Sequence, residues 1–129
     1  MATLEKAHLV TDIASNATTQ NLYRAVNERV MELNARFDAS GDTIRSVEVL
    51  CECGRVSCAA RLSIASADYE RVRSDPSTFV LIPGHEDAAV EEVIERTADF
   101  VIARNVGEAD AIARAGDPRR AGAGEHRRR

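Results

Sequence analysis

The sequence predicts an α+β domain in which an N-terminal amphipathic helix packs on a small, mainly antiparallel sheet carrying a zinc-knuckle-like hairpin. Three observations lead there. Apolar residues fall on a helical stripe before any strand signal appears, a segment around three cysteines alternates with period two, and the remaining apolar runs are short and closed by Pro or Gly.

The helix comes first. From Gln20 to Asp38, Leu22, Val26, Val30, Leu33 and Phe37 recur at steps of four, four, three and four, so this stripe is expected to face the core. Ser15-Asn16 or Thr18-Thr19 offer capping groups before it, residues 1–18 are expected to be frayed, and Ser40-Gly41 closes the helix. From Ser46 to Cys53 the chain alternates, with Val47, Val49, Cys51 and Cys53 on one face and Glu48, Leu50 and Glu52 on the other. Gly54-Arg55-Val56-Ser57 turns it, and Cys58, Ala60, Leu62 and Ile64 alternate again, which reads as a hairpin.

Ser66 is placed to cap a short helix over 67–73 that Asp75-Pro76 stops, and Tyr69, Arg71 and Arg73 on it read as a solvated polar face. Thr78 to Ile82 has the length of a buried strand and ends at Pro83-Gly84, directly before His85. Val90 to Arg104 reads as a strand pair. A last helix over Glu108 to Ala115 turns Ala109, Ile112 and Ala113 inward. One domain is therefore expected over 19–115, followed by a flexible Arg-rich tail over 116–129.

Composition narrows the function classes. Hydrophobic residues at 44% and charged residues at 29% of 129 positions suit one folded core. Aromatics at 4%, with no Trp, leave little ring surface for stacking bases. The net charge of −4 is uneven: five Arg against Asp117 and Glu125 make the tail +3, and the 12 bases and 19 acids before it make the body −7. Such a body repels a phosphate backbone, so nucleic acid is not the expected partner. The acidic stretch Glu86, Asp87, Glu91, Glu92 and Glu95 reads as surface able to meet a basic protein partner. No run is long and apolar enough for a membrane span, and the N-terminus lacks the pattern of a signal peptide. A cytoplasmic location with no membrane partner follows, and there thiols stay reduced.

The chemistry concentrates in Cys51-x-Cys53-x4-Cys58. Residues two apart on a strand project to one side, so Cys51 and Cys53 can offer both sulfurs to one ion, and a tight turn using a positive φ at Gly54 returns Cys58 opposite them. Tetrahedral zinc needs a fourth ligand. His85, on a Pro-Gly turn after a buried strand, is the best candidate, with Glu86 or Asp87 to accept its free N–H; His8 and His126 lie in the chain ends. Two rival readings stay open. One is a redox sensor closing a Cys53–Cys58 disulfide, and the other is a small thiol or metal enzyme built on Cys58 and His85, or on a zinc with an open position.

VNERVMELN, CECGRVSC, DYERVRSDPSTFVLIPGHE, ER-x3-F and a DPR near the end together resemble a family of uncharacterised small actinobacterial proteins with a Cys-Glu-Cys-Gly…Cys turn and a Pro-Gly-His-Glu turn, over about residues 20–120. The resemblance implies that Cys51, Cys53, Cys58 and His85 form one site. Where that family has a His-Asp-Gly turn and a strand ending in Lys, this chain has Thr97-Ala98-Asp99 and Arg104. It brings no activity. The function expected from the sequence is a zinc-stabilised protein-interaction or regulatory module without catalytic residues.

Overall fold

The computed structural model describes the backbone of residues 2–37 and 46–119, and the side chains of 13–36 and 46–119. Helix α1 (Ala2–Phe37) precedes a hairpin of β1 (Ser46–Leu50) and β2 (Arg61–Ala65). Helix α2 (Ser66–Arg73), strand β3 (Thr78–Leu81), a second hairpin of β4 (Glu91–Arg96) and β5 (Val101–Asn105), and helix α3 (Gly107–Ala115) follow. The fold is α+β. Every strand pair is antiparallel, in a two-stranded sheet β1-β2 and a three-stranded sheet ordered β3-β5-β4.

The register explains the hairpins. Val47 pairs with Ile64 and Val49 with Leu62, so the buried residues of both strands share one face, while Glu48 and Ser63 share the exposed one. β3 and β5 are buried almost throughout, as Phe79, Val80, Leu81, Val101, Ile102 and Ala103 show, and they carry the main core with Tyr69 and Val72. The two sheets are stitched where β1 runs out: the Glu52 N–H donates to the Val80 carbonyl at 2.9 Å, and the Val80 N–H donates to Glu52 Oε1 at 3.1 Å.

Helix α1 departs from the sequence reading in two ways. It runs as one helix from Ala2, ahead of the start expected near Gln20, and Ala17 is fully buried against Val90 and Ala109. The face it buries is also a different one. Leu22 is 60% exposed, and Val26 and Leu33 are exposed as well; the buried positions are Ala17, Gln20, Arg24, Asn27 and Met31, at steps of three, four, three and four. The expected core stripe of Leu22, Val26 and Leu33 therefore looks outward, with Val30 alone of its described members packed at the edge of the core. Phe37's side chain is outside the described set. At 100° per residue the two stripes lie on nearly opposite sides of the helix.

The physical reason is that three polar side chains on the buried face satisfy backbone groups that no neighbouring strand reaches. Asn27 donates to the Leu50 carbonyl at 3.0 Å and accepts from the Leu50 N–H at 2.9 Å, closing that residue as a neighbouring strand would. Gln20 donates to the Glu52 carbonyl at 3.1 Å. Arg24 donates to the carbonyls of Pro76 at 2.6 Å and Ala113 at 2.8 Å, with its guanidinium 4.8 Å from the centre of the Phe79 ring. A buried carbonyl left without a donor costs about 1–3 kcal/mol, so an amide or guanidinium outcompetes leucine at these positions.

Three further expectations change. Tyr69 and Arg73 are buried rather than solvated, because α2 packs on β3 and β2 and Arg73 reaches Glu28 of α1, whereas Arg71 stays exposed and pairs with Glu95 at 2.7 Å. The α2 N-cap position is Ala65 rather than Ser66. Residues 117–119, expected in the tail, are held against the domain. Asp117 is buried on Arg73, Arg73 Nε meets Glu28 at 2.5 Å, and Arg119 bridges Glu28 at 2.7 Å and Glu70 at 3.0 Å. This ion network fastens residues 117–119 to α1 and α2; residues 120–129 lie outside the described part.

Candidate metal centre

Beyond β1 the chain stays extended for one more residue, since the Cys51 N–H donates to the Ala60 carbonyl at 3.0 Å. Cys51 and Cys53 then fall two apart with their sulfurs toward one point. Gly54 follows with φ of 83°. It is held there twice over: a left-handed φ disfavours side chains, and an added Cβ would sit 2.4 Å from Asn16 Oδ1 and 2.7 Å from the Asn16 carbonyl. The turn closes through the Cys58 N–H donating to the Arg55 carbonyl at 3.0 Å.

The second arm is the turn Ile82-Pro83-Gly84-His85. His85 N–H donates to the Ile82 carbonyl at 2.9 Å, and Gly84 has φ of 94°, which with proline before it makes a type II turn. That turn aims His85 Nδ1 at the hairpin, 3.5 Å from Cys51 Sγ and 3.7 Å from Cys58 Sγ. One donor atom from each of Cys51, Cys53, Cys58 and His85 lies within 4.8 Å of all the others, and the set could hold a metal ion. All four site residues named from the sequence are thus brought together.

Two edges of the donor set match those of a tetrahedral ion. Zinc–sulfur and zinc–nitrogen bonds of about 2.3 and 2.0–2.1 Å imply sulfur–sulfur edges of about 3.8 Å and sulfur–nitrogen edges of about 3.6 Å; the two sulfur–nitrogen separations already stand at 3.5 and 3.7 Å. Backbone donors point at the sulfurs too. The Ile82 N–H lies 3.2 Å from Cys51 Sγ, and the Arg55 N–H bonds the Cys53 sulfur. Burial pushes both the Cys51 and the Cys53 thiol up; Cys53 and Cys58 add to the rise at Cys51, and Cys58 adds to that at Cys53, while the backbone N–H groups oppose both. These two buried thiols resist ionising by themselves, and a dication reverses that balance. The cysteines are free of disulfides.

Around the site stand groups that sequence reasoning missed. The Tyr23 hydroxyl donates to the carbonyls of Arg55 at 2.9 Å and Val56 at 3.2 Å, pinning the Cys turn to α1; burial and then the three cysteines raise its pKa. Glu52, between two of the cysteines, is fully buried and not on a solvent face. Its Oε2 accepts from Tyr69 at 2.7 Å and Asn27 at 2.8 Å. Burial raises its carboxyl pKa, opposed by the hydrogen bonds from Asn27, Tyr69 and Val80 and by the charge on Arg73. The signal for this face was the spacing of Gln20, Arg24 and Asn27 itself, helical and wholly polar.

Glu86 and Asp87, expected as acceptors for the free His85 N–H, serve the backbone: Glu86 Oε1 accepts from Gly84 N–H at 2.9 Å and Asp87 Oδ1 from Ala89 N–H at 2.9 Å. The acidic stretch is not one free surface either, since Glu91 is buried and Glu86 and Glu95 pair with Arg96 and Arg71. Among the described residues, no helix is long and apolar enough to cross a membrane. No known family model matches the chain, nor does any curated protein or solved structure.

Proposed function

We propose that this chain is a small zinc-binding module whose metal is structural, held by Cys51, Cys53, Cys58 and His85, and that it serves a protein-interaction or regulatory role. The observation that carries the reading is the convergence of four soft or borderline donors from two separate turns within 4.8 Å. Sulfur and imidazole are the donors zinc prefers, and a site with four protein ligands leaves no position for a reacting water. What the ion would supply is a cross-link between the β1–β2 hairpin and the Pro-Gly-His turn, which makes metal affinity part of folding free energy.

The interaction role is supported by what the turn displays. Val56, at the tip of the cysteine turn, is 81% exposed, and Leu22 and Val26 are exposed on the helix from which Tyr23 reaches the same turn. Elemental analysis of the full chain purified under reducing conditions tests the metal, beside a Cys51→Ser variant. The expected result is about one zinc per chain, with metal and thermal stability both lost in the variant. A metal-free, stably folded chain with three titratable thiols overturns the reading.

A further inference from the structure

The four ligands are not equivalent toward solvent. Cys51 and Cys53 are buried, and each sulfur accepts a backbone N–H, from Ile82 and Arg55 respectively. Cys58 is only partly buried, lying between exposed Ser57 and Ala59 at the end of a turn whose Arg55 and Val56 are also exposed. A small oxidant therefore meets Cys58 first. The resolving candidate is Cys53, across a turn of four residues, its sulfur within 4.8 Å of that of Cys58. Resting on the zinc reading, we infer that the site is a peroxide-sensitive metal switch in which Cys58 is the point of attack and Cys53 the resolving thiol.

The chemistry balances with hydrogen peroxide as the oxidant. The Cys58 thiolate attacks one peroxide oxygen, the O–O bond breaks, hydroxide leaves and Cys58 becomes a sulfenic acid. The Cys53 thiolate then attacks the Cys58 sulfur, the S–O bond breaks and a second hydroxide leaves. Two thiolates have lost two electrons, one peroxide has gained them, and one disulfide stands in their place. Zinc retains Cys51 and His85, half of its ligands, and dissociates. The disulfide keeps the hairpin turn closed while the Pro-Gly-His turn is let go, so oxidation changes the surface around Val56 without opening β1 from β2.

The test treats the zinc-loaded full chain with hydrogen peroxide, follows released metal with a metallochromic indicator and maps disulfides by peptide mass. Expected are release of the bound zinc, loss of two hydrogen masses on the peptide or peptides holding Cys53 and Cys58, and recovery of zinc binding after a dithiol reductant. A Cys58→His variant, which retains four ligands of accepted zinc type, is expected to release zinc more slowly. Equal release rates in that variant and the parent, or a parent disulfide that includes Cys51, overturn the assignment of Cys58 and Cys53. If the variant holds no zinc, the parent disulfide map decides alone. Zinc that stays bound under peroxide overturns the switch while leaving the structural site standing; a chain with no zinc before peroxide is added overturns both.

Discussion

Two regions fasten helix α1 to the rest of the molecule, and they do so by different chemistry. Around residues 16–27 the helix meets the cysteine turn through neutral hydrogen bonds, with Tyr23, Gln20 and Asn27 donating to backbone carbonyls. At the very next residue, Glu28 meets Arg73 and Arg119 in an ion network that also includes Asp117 and Glu70. The first region positions the metal donors with uncharged hydroxyl and amide groups on the helix, one of which, Asn27, also holds the buried Glu52 carboxyl. The second holds the C-terminal segment. The first should therefore respond to chelation and the second to loss of a charge, each without the other.

Chelation is expected to have the largest effect. Structural zinc supplies on the order of 10 kcal/mol in small zinc-dependent folds, about the whole stability of a domain this size. A strong chelator at neutral pH should abolish the cooperative thermal transition seen by circular dichroism. Raising salt to about 1 M, where the screening length falls to about 3 Å, should leave that transition nearly in place, because the inner ion pairs are buried. An unchanged melting curve under chelation would show that the hydrogen-bonded region holds without a metal.

Next in size is the charge clamp. Arg73 is buried, and removing one partner of a buried pair costs about 3–5 kcal/mol. Arg73→Ala is expected to lose that much in denaturant unfolding while still binding one zinc per chain. Zinc lost in parallel would show that the two regions are one cooperative unit.

What was legible in the sequence divides along the same line. The cysteine spacing, the positive φ at Gly54, the Pro-Gly turn before His85 and the two hairpins are local patterns, set within a few residues by backbone geometry. The long-range partners were not legible. Apolar periodicity chose Leu22, Val26 and Leu33 for the core, yet the structure buries Gln20, Arg24 and Asn27; their polar spacing marks a face, but the carbonyls that bury it lie dozens of residues away and are not named by the helix sequence. Glu52 was half legible for a related reason: alternation puts it opposite the thiols, but nothing near it in the sequence names Tyr69, Asn27 and Val80 as the groups that surround it. Asp117, in a Gly- and Arg-rich stretch, gave no hint of a buried arginine waiting for it.

A pH profile sharpens the comparison at the edge of the first region. Glu91 is buried, accepting from Gln20 at 3.0 Å and from the Asp87 N–H at 2.9 Å, and burial raises its pKa to about 7. A carboxyl whose folded pKa lies above its unfolded value contributes stability that is complete below about pH 4.5 and is lost as pH rises through about 7. The raised pKa amounts to about 3 kcal/mol over that window. Glu91→Gln should remove the slope while adding a pH-independent penalty, because its amide would face a donor. Urea unfolding of both proteins from pH 5 to 8 isolates the effect, since the thiols titrate in each. Parallel curves would remove Glu91 from the account.

The smallest expected effect tests whether the helix positions the metal turn or merely touches it. Tyr23→Phe removes one hydroxyl that donates to the Arg55 and Val56 carbonyls. Both carbonyls are near solvent, so water replaces the lost donor and the stability cost should be about 0.5–1.5 kcal/mol. The informative readout is metal exchange. Those carbonyls belong to the turn that delivers the Arg55 N–H to Cys53 and returns Cys58 to the site, so a looser turn should transfer zinc to a competing chelator faster at unchanged stoichiometry. Second-sphere losses of this kind typically cost about 10–100-fold in metal affinity. Exchange at the parent rate would mean that Gly54 against Asn16 already fixes the turn, and that the tyrosine only covers it.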